Sequence, residues 1–111
     1  MRALLVTSES ISEVLLDPED ILESMYGHLN CDLVEGAGYP DHTHAAWADE
    51  EGMFKLCDGF QVNNVKWVPG GQFVGKLLVT GFDADTGDTT AATMSVDDLQ
   101  SMIHTGELRF G

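Results

Sequence analysis

Phe73-Val74-Gly75-Lys76-Leu77-Leu78-Val79-Thr80-Gly81-Phe82 is the longest β-like run in the chain, and its reading decides the fold. Apolar residues follow one another almost without a polar break, the pattern of a strand covered on both faces. Residues 73–82 are therefore expected to form one central strand. Pro69-Gly70-Gly71 interrupts regular structure before it, and Asp83-Ala84-Asp85-Thr86-Gly87-Asp88 supplies a turn after it.

Partners for such a strand are found on both sides of it in sequence. Residues 3–7 and 11–16 are short runs rich in apolar and β-branched side chains, separated by Ser8-Glu9-Ser10, and read as an opening β-hairpin. Residues 31–35 and 45–49 read as further strands, with the Gly36-Ala37-Gly38-Tyr39-Pro40-Asp41 loop between them. Glu50-Glu51-Gly52 is a turn from which residues 53–56 can pair back. Residues 58–68 fit neither a helical nor an alternating period and are read as loop with a short helix. Residues 89–93 return as a strand beside the central one.

Two helices complete the pattern. Asp17-Pro18-Glu19-Asp20 combines an N-capping side chain, a proline suited to the first turn and acids that favour the positive end of the helix dipole. Ile21, Leu22, Met25, Tyr26 and Leu29 then recur at helical spacing. Ser95 and Asp98 mark a second start, with Val96, Leu99, Met102 and Ile103 as its apolar face and Gly106 as its end. The expectation is one α+β domain over residues 1–111, a mainly antiparallel sheet with two helices packed on it. A length of 111 residues suits one core and not two.

Nineteen acidic residues against five basic ones give a formal charge of -14. Direct nucleic-acid binding is disfavoured, because phosphates are held by lysine and arginine, and Arg2, Lys55, Lys66, Lys76 and Arg109 are scattered. Anionic membrane surfaces are disfavoured for the same reason. The apolar run at residues 3–6 is too short for a secretion signal, and no stretch reaches membrane-spanning length, so a cytoplasmic location is expected. Cys31 and Cys57 then read as free thiols.

Arg2-Ala3-Leu4-Leu5-Val6, Asp17-Pro18-Glu19-Asp20, Trp47-Ala48-Asp49-Glu50-Glu51-Gly52 and Val74-Gly75-Lys76-Leu77-Leu78-Val79-Thr80-Gly81 together resemble the domain-of-unknown-function 3846 family. The strongest marks are the Asp-Glu-Glu-Gly turn, a downstream asparagine supplied by Asn63 or Asn64, and the Val-Gly strand. The acidic helix start Ser95-Val96-Asp97-Asp98-Leu99 also fits, whereas the stretch 36–44 and Pro69-Gly70-Gly71 depart from the pattern. Members are small proteins of phages, mobile elements and some bacteria, without an established activity. The resemblance implies an accessory protein of that origin and no particular chemistry.

Candidate chemical motifs are sparse. His42 and His44 alternate as metal ligands on one strand face would, with Asp41, Cys31 or Cys57 as further donors, yet a metal site needs three or four ligands in defined spacing. Asp83, Asp85 and Asp88 resemble the opening of a calcium loop, but Gly87 comes one position early and Met94 stands where the closing glutamate belongs. A solvated hairpin tip accounts for them. His28 and His104 lie in no nucleophile setting and read as helix-end residues. No phosphate loop follows Gly70-Gly71. Trp47, Phe54, Phe60 and Trp67 read as core or core-edge aromatics.

The functional expectation is a non-enzymatic protein-interaction module with no cofactor, binding a host or phage protein through an acidic face. Glu19, Glu23, Asp49, Glu50, Glu51, Asp97 and Asp98 are the candidate contacts, being on helices or turns that face solvent. One version is DNA mimicry toward a basic nucleic-acid-binding protein, since duplex DNA carries a charge about every 1.7 Å. High negative charge also keeps a small protein in solution, with no partner at all. The alternative from another class is a small-molecule or metal-binding module using residues 42–57.

Overall fold

The structure, a computed structural model, describes residues 1–7, 10–29, 33–49, 60–63, 73, 74 and 76–107. Its centre is β7 (Leu77–Phe82), in which Leu77, Leu78, Val79 and Thr80 are all fully buried. Burial on both faces is what the uninterrupted apolar run requires. On one side β7 pairs with β1 (Arg2–Val6), through Leu4 with Val79 and Leu5 with Leu78. On its other side it pairs with β4 (His44–Asp49), through Ala46 with Val79 and Trp47 with Leu78. β2 (Ile11–Leu15) forms a hairpin with β1 and makes one edge, and β3 (Val34–Gly36) pairs with β4 to make the other. The order is β2-β1-β7-β4-β3, with the short β8 (Thr89–Thr90) joined to the end of β7, and every pair is antiparallel.

One helix covers each face. Side chains alternate along a strand, so Ala3, Leu5 and Leu78 project to one face, where Met25 and Leu29 of α1 (Ile21–Leu29) meet them. Leu4, Val6, Leu77 and Val79 project to the other and pack with Met94, Ile103 and Leu99 of α2 (Val96–Gln100). Each such leucine stabilises the fold by roughly 1.5–3 kcal/mol on burial. The helix starts follow their local chemistry. The Ser95 hydroxyl accepts from the Asp98 N–H at 3.1 Å, and Asp17 Oδ1 accepts from the Glu19 N–H at 2.9 Å. Residues 17–20 form a turn ahead of α1, so the helix proper begins at Ile21.

A second, three-stranded sheet corrects three expectations. Its order is β6-β5-β9, from β5 (Phe60–Asn63), β6 (Phe73–Val74) and β9 (His104–Glu107). Residues 60–63, expected in a loop or short helix, are a strand because they find partners on both sides, which no local period reveals. The run at 73–82 is divided between the two sheets. The β7 ladder begins at Leu77, opposite the last residue of β1, Val6, and opposite Ala48 near the end of β4. The final helix is shorter than expected. Pairing of His104 with Asn63 and Gly106 with Gln61 draws the chain into β9, so His104 and Gly106 are strand residues. His28, by contrast, does lie in the last turn of α1. The expected turn at 50–52 and strand at 53–56 lie outside the described residues.

Candidate interaction cleft

His44, at the start of β4, is a buried histidine, 2% exposed. Its Nε2 accepts from the backbone N–H groups of Thr93 and Met94, both at 3.0 Å. An acceptor Nε2 puts the ring proton on Nδ1, which faces Asp41 Oδ1 at 2.9 Å and the Thr43 hydroxyl at 3.0 Å. Burial acts to raise the Asp41 pKa, but hydrogen bonds from His44 and from the Thr43 backbone and hydroxyl outweigh it and hold the carboxyl below its ordinary value. Asp41 and His44 thus have the geometry of an acid–histidine pair whose outer nitrogen is occupied. That nitrogen has no lone pair left for a metal or a substrate proton.

The same segment is held from the other flank of β7. Arg2 Nη1 donates to the carbonyls of Ala92 at 3.0 Å and Met94 at 2.7 Å, while its Nε and Nη2 engage Glu13 Oε1. Between these two grips the strap passes directly over Gly81. A Cβ there would collide with the Ala91 carbonyl oxygen and the Thr90 hydroxyl and lie 2.9 Å from the Ala91 carbonyl carbon. His42 is an exposed turn residue, as its Gly/Pro-rich surroundings suggest, whereas His44 starts β4 and does not share a face with it. Among the described residues no three of His, Cys, Asp and Glu gather as metal ligands would. Cys31 and Cys57 lie outside the described residues.

On the face covered by α1, the sheet beyond the helix is open around Trp47. The Trp47 indole N–H donates to the buried Thr80 hydroxyl at 3.0 Å, which fixes the ring. A cleft of about 540 Å³ lies on its α1 side, lined by Ile21, Leu22, Met25, Asp88, Thr89 and Thr90 together with Trp47. A second compartment of about 300 Å³ adjoins the same tryptophan, lined by Tyr39, Phe82, Ala45 and the backbone of Gly36 and Gly38. The Tyr39 and Phe82 rings meet there with centroids 5.2 Å apart. Ala45, two residues before Trp47 on the same face of β4, leaves room beside the ring, while Ala46 and Ala48 belong to the core on the other face. Trp47 alone reads in the sequence as a core-edge residue. Leu22 and Tyr39 stand at the openings, 50% and 61% exposed.

The candidate acids divide between the two faces. Glu19 and Glu23 are exposed at the start of α1, beside the cleft-lining Ile21 and Leu22, and Asp17 and Asp20 are exposed with them. Asp97 and Asp98 are exposed on α2, across the sheet. Asp49 ends β4 opposite Val34, and Glu50 and Glu51 lie outside the described residues. Asp88, expected in a hairpin tip, is in such a turn, where its carbonyl accepts from the Asp83 N–H at 2.9 Å, and it also borders the cleft. Asp83 Oδ1 is turned back onto the Asp85 N–H. No described helix is long and apolar enough to cross a membrane.

No curated protein and no solved structure matches this chain. One family model does, over residues 1–104, and it includes every element of both sheets except the last residues of β9. The chain belongs to the family described as Domain of unknown function (DUF3846).

Proposed function

We propose that this chain is a non-enzymatic protein-interaction module, a phage or mobile-element accessory protein acting in the host cytosol, which holds a basic partner protein through the α1 surface. The observation that carries this reading is the apolar cleft beside Trp47, opening next to the exposed acids of α1. Apolar floor and charged rim are the ordinary anatomy of a protein interface. A formal charge of -14 steers a cationic partner toward it and repels nucleic acid and anionic membrane. DNA mimicry along one row of acids is less well supported, because Glu19 and Glu23 stand across the sheet from Asp97 and Asp98.

A small-molecule module within residues 42–57 is the second reading, favoured by the compartment between Trp47 and Tyr39. Its metal-binding form would require His44 to give up two backbone hydrogen bonds.

The test is capture of partners from host lysate by wild type, by Glu19→Lys/Glu23→Lys and by Asp97→Lys/Asp98→Lys, each washed at low and high salt. A partner kept by wild type and by the α2 variant, lost by the α1 variant and released by salt is the expected result. Equal retention by the α1 variant would sink the proposal.

A further inference from the structure

We infer that the two compartments beside Trp47 read two nearby side chains of the partner, a cationic one between α1 and the 87–90 turn and an apolar one against Tyr39 and Phe82. This rests on the protein-interaction reading above and adds what is recognised.

The linings differ in the way such a division requires. Among the described residues, Asp88 is the one charged residue bordering the first compartment, and Thr89 and Thr90 beside it offer hydroxyls. Ile21, Leu22, Met25 and Trp47 supply an apolar wall. A lysine or arginine is built to fill that shape, with its methylene stem along the wall, its cation over the indole face and its head at the carboxylate. Among the described residues, the second compartment is lined by aromatic rings, alanines and glycines and by no charged side chain. It accepts an apolar or aromatic side chain and penalises a charged one, which would be desolvated without a partner. Both linings rest on a fixed element: the Trp47 ring is tied to Thr80, so binding need not order it. Each volume, about 540 and 300 Å³, suits one or two side chains and is too small for a folded partner's whole surface.

The test is selection from a displayed random-peptide library on immobilised wild type, Asp88→Lys and Tyr39→Ala. Both substitutions fall on exposed side chains, and thermal melting verifies that each variant folds. Wild type is expected to select peptides pairing Arg or Lys with a nearby apolar residue. Asp88→Lys should lose the basic preference and keep the apolar one, and Tyr39→Ala the reverse. Either change should weaken the best synthetic peptide about tenfold, the effect of losing one well-buried contact. Selection of basic peptides without an apolar companion, unchanged by Tyr39→Ala, overturns the two-compartment inference while leaving the acidic-surface reading standing. Selected peptides without basic residues, bound equally at low and high salt, overturn both.

Discussion

Asp41 accepts three hydrogen bonds on one oxygen, from the Thr43 N–H, the Thr43 hydroxyl and His44 Nδ1. These bonds favour the carboxylate and outweigh the burial that opposes it, so its pKa in the folded chain lies below the ordinary aspartate value. The linkage follows from that sign. The stabilisation is fully present above the unfolded-state pKa, about 4, and is lost as pH falls through the lower folded-state value. Asp41→Asn should therefore be less stable than wild type by a constant margin above about pH 5, and the margin should shrink as pH falls below about 4. Urea melts of both proteins across that range measure it, and a margin that widens on acidification would refute the assignment. Asp41 is partly exposed, so the effect is moderated by solvent. Much at this scale was legible in the sequence, because it is local: the Ser95 cap is formed as read, and Asp17 does take a free backbone N–H, that of Glu19, though in a turn ahead of α1 and not in the helix itself. The role of His44 was not. Its partners are Thr93 and Met94, about fifty positions away, and spacing suggested only a link to His42.

Residues 91–94 act as a strap with no ladder of their own, held by His44 on its N–H groups and by Arg2 on its carbonyls. His44→Leu keeps the volume but leaves two backbone donors without their acceptor, at a cost of about 2–3 kcal/mol. Arg2→Met removes the guanidinium's hold on the Ala92 and Met94 carbonyls and leaves the bond from the Ala92 N–H to the residue 2 carbonyl in place. The double variant should lose less than the sum of the single losses, by about 0.5 kcal/mol or more, because a strap released on one side has less to lose on the other. Denaturant unfolding of the four proteins checks this, and strict additivity would show that the grips act independently. The elements that sequence placed correctly, β1 with β2, β4, α1 and the core of β7, carry their period within themselves. Those it missed, residues 60–63 and 104–107, exist as strands through pairing with distant chain, and a helical start at Ser95 gives no hint of where pairing takes over. The cleft was not legible: Trp47 reads as a core-edge aromatic, and the approach of α1 and the 87–90 turn to it needed the fold.

At the scale of the molecule, a charge of -14 on 111 residues makes the folded state repel itself. Raising ionic strength from about 0.01 to 0.15 M shortens the screening length from roughly 30 to 8 Å. The melting temperature should rise by several degrees over that range. Screening also weakens the Arg2–Glu13 pair, but an exposed pair is worth at most about 1 kcal/mol and does not reverse the trend. Calorimetry in a salt series decides it, and a flat or falling melting temperature would mean that the acids are already neutralised within the fold. The arrangement of the large sheet also bears on how the chain is made. β1 is synthesised well before its second neighbour, β7, so Leu4 waits for Val79. The β1–β2 hairpin must therefore wait with one edge of β1 open and its leucines uncovered until β7 has been synthesised. Vectorial synthesis thus gives this small protein a late closing step, with an interval in which that bare edge is open to another chain or to a chaperone.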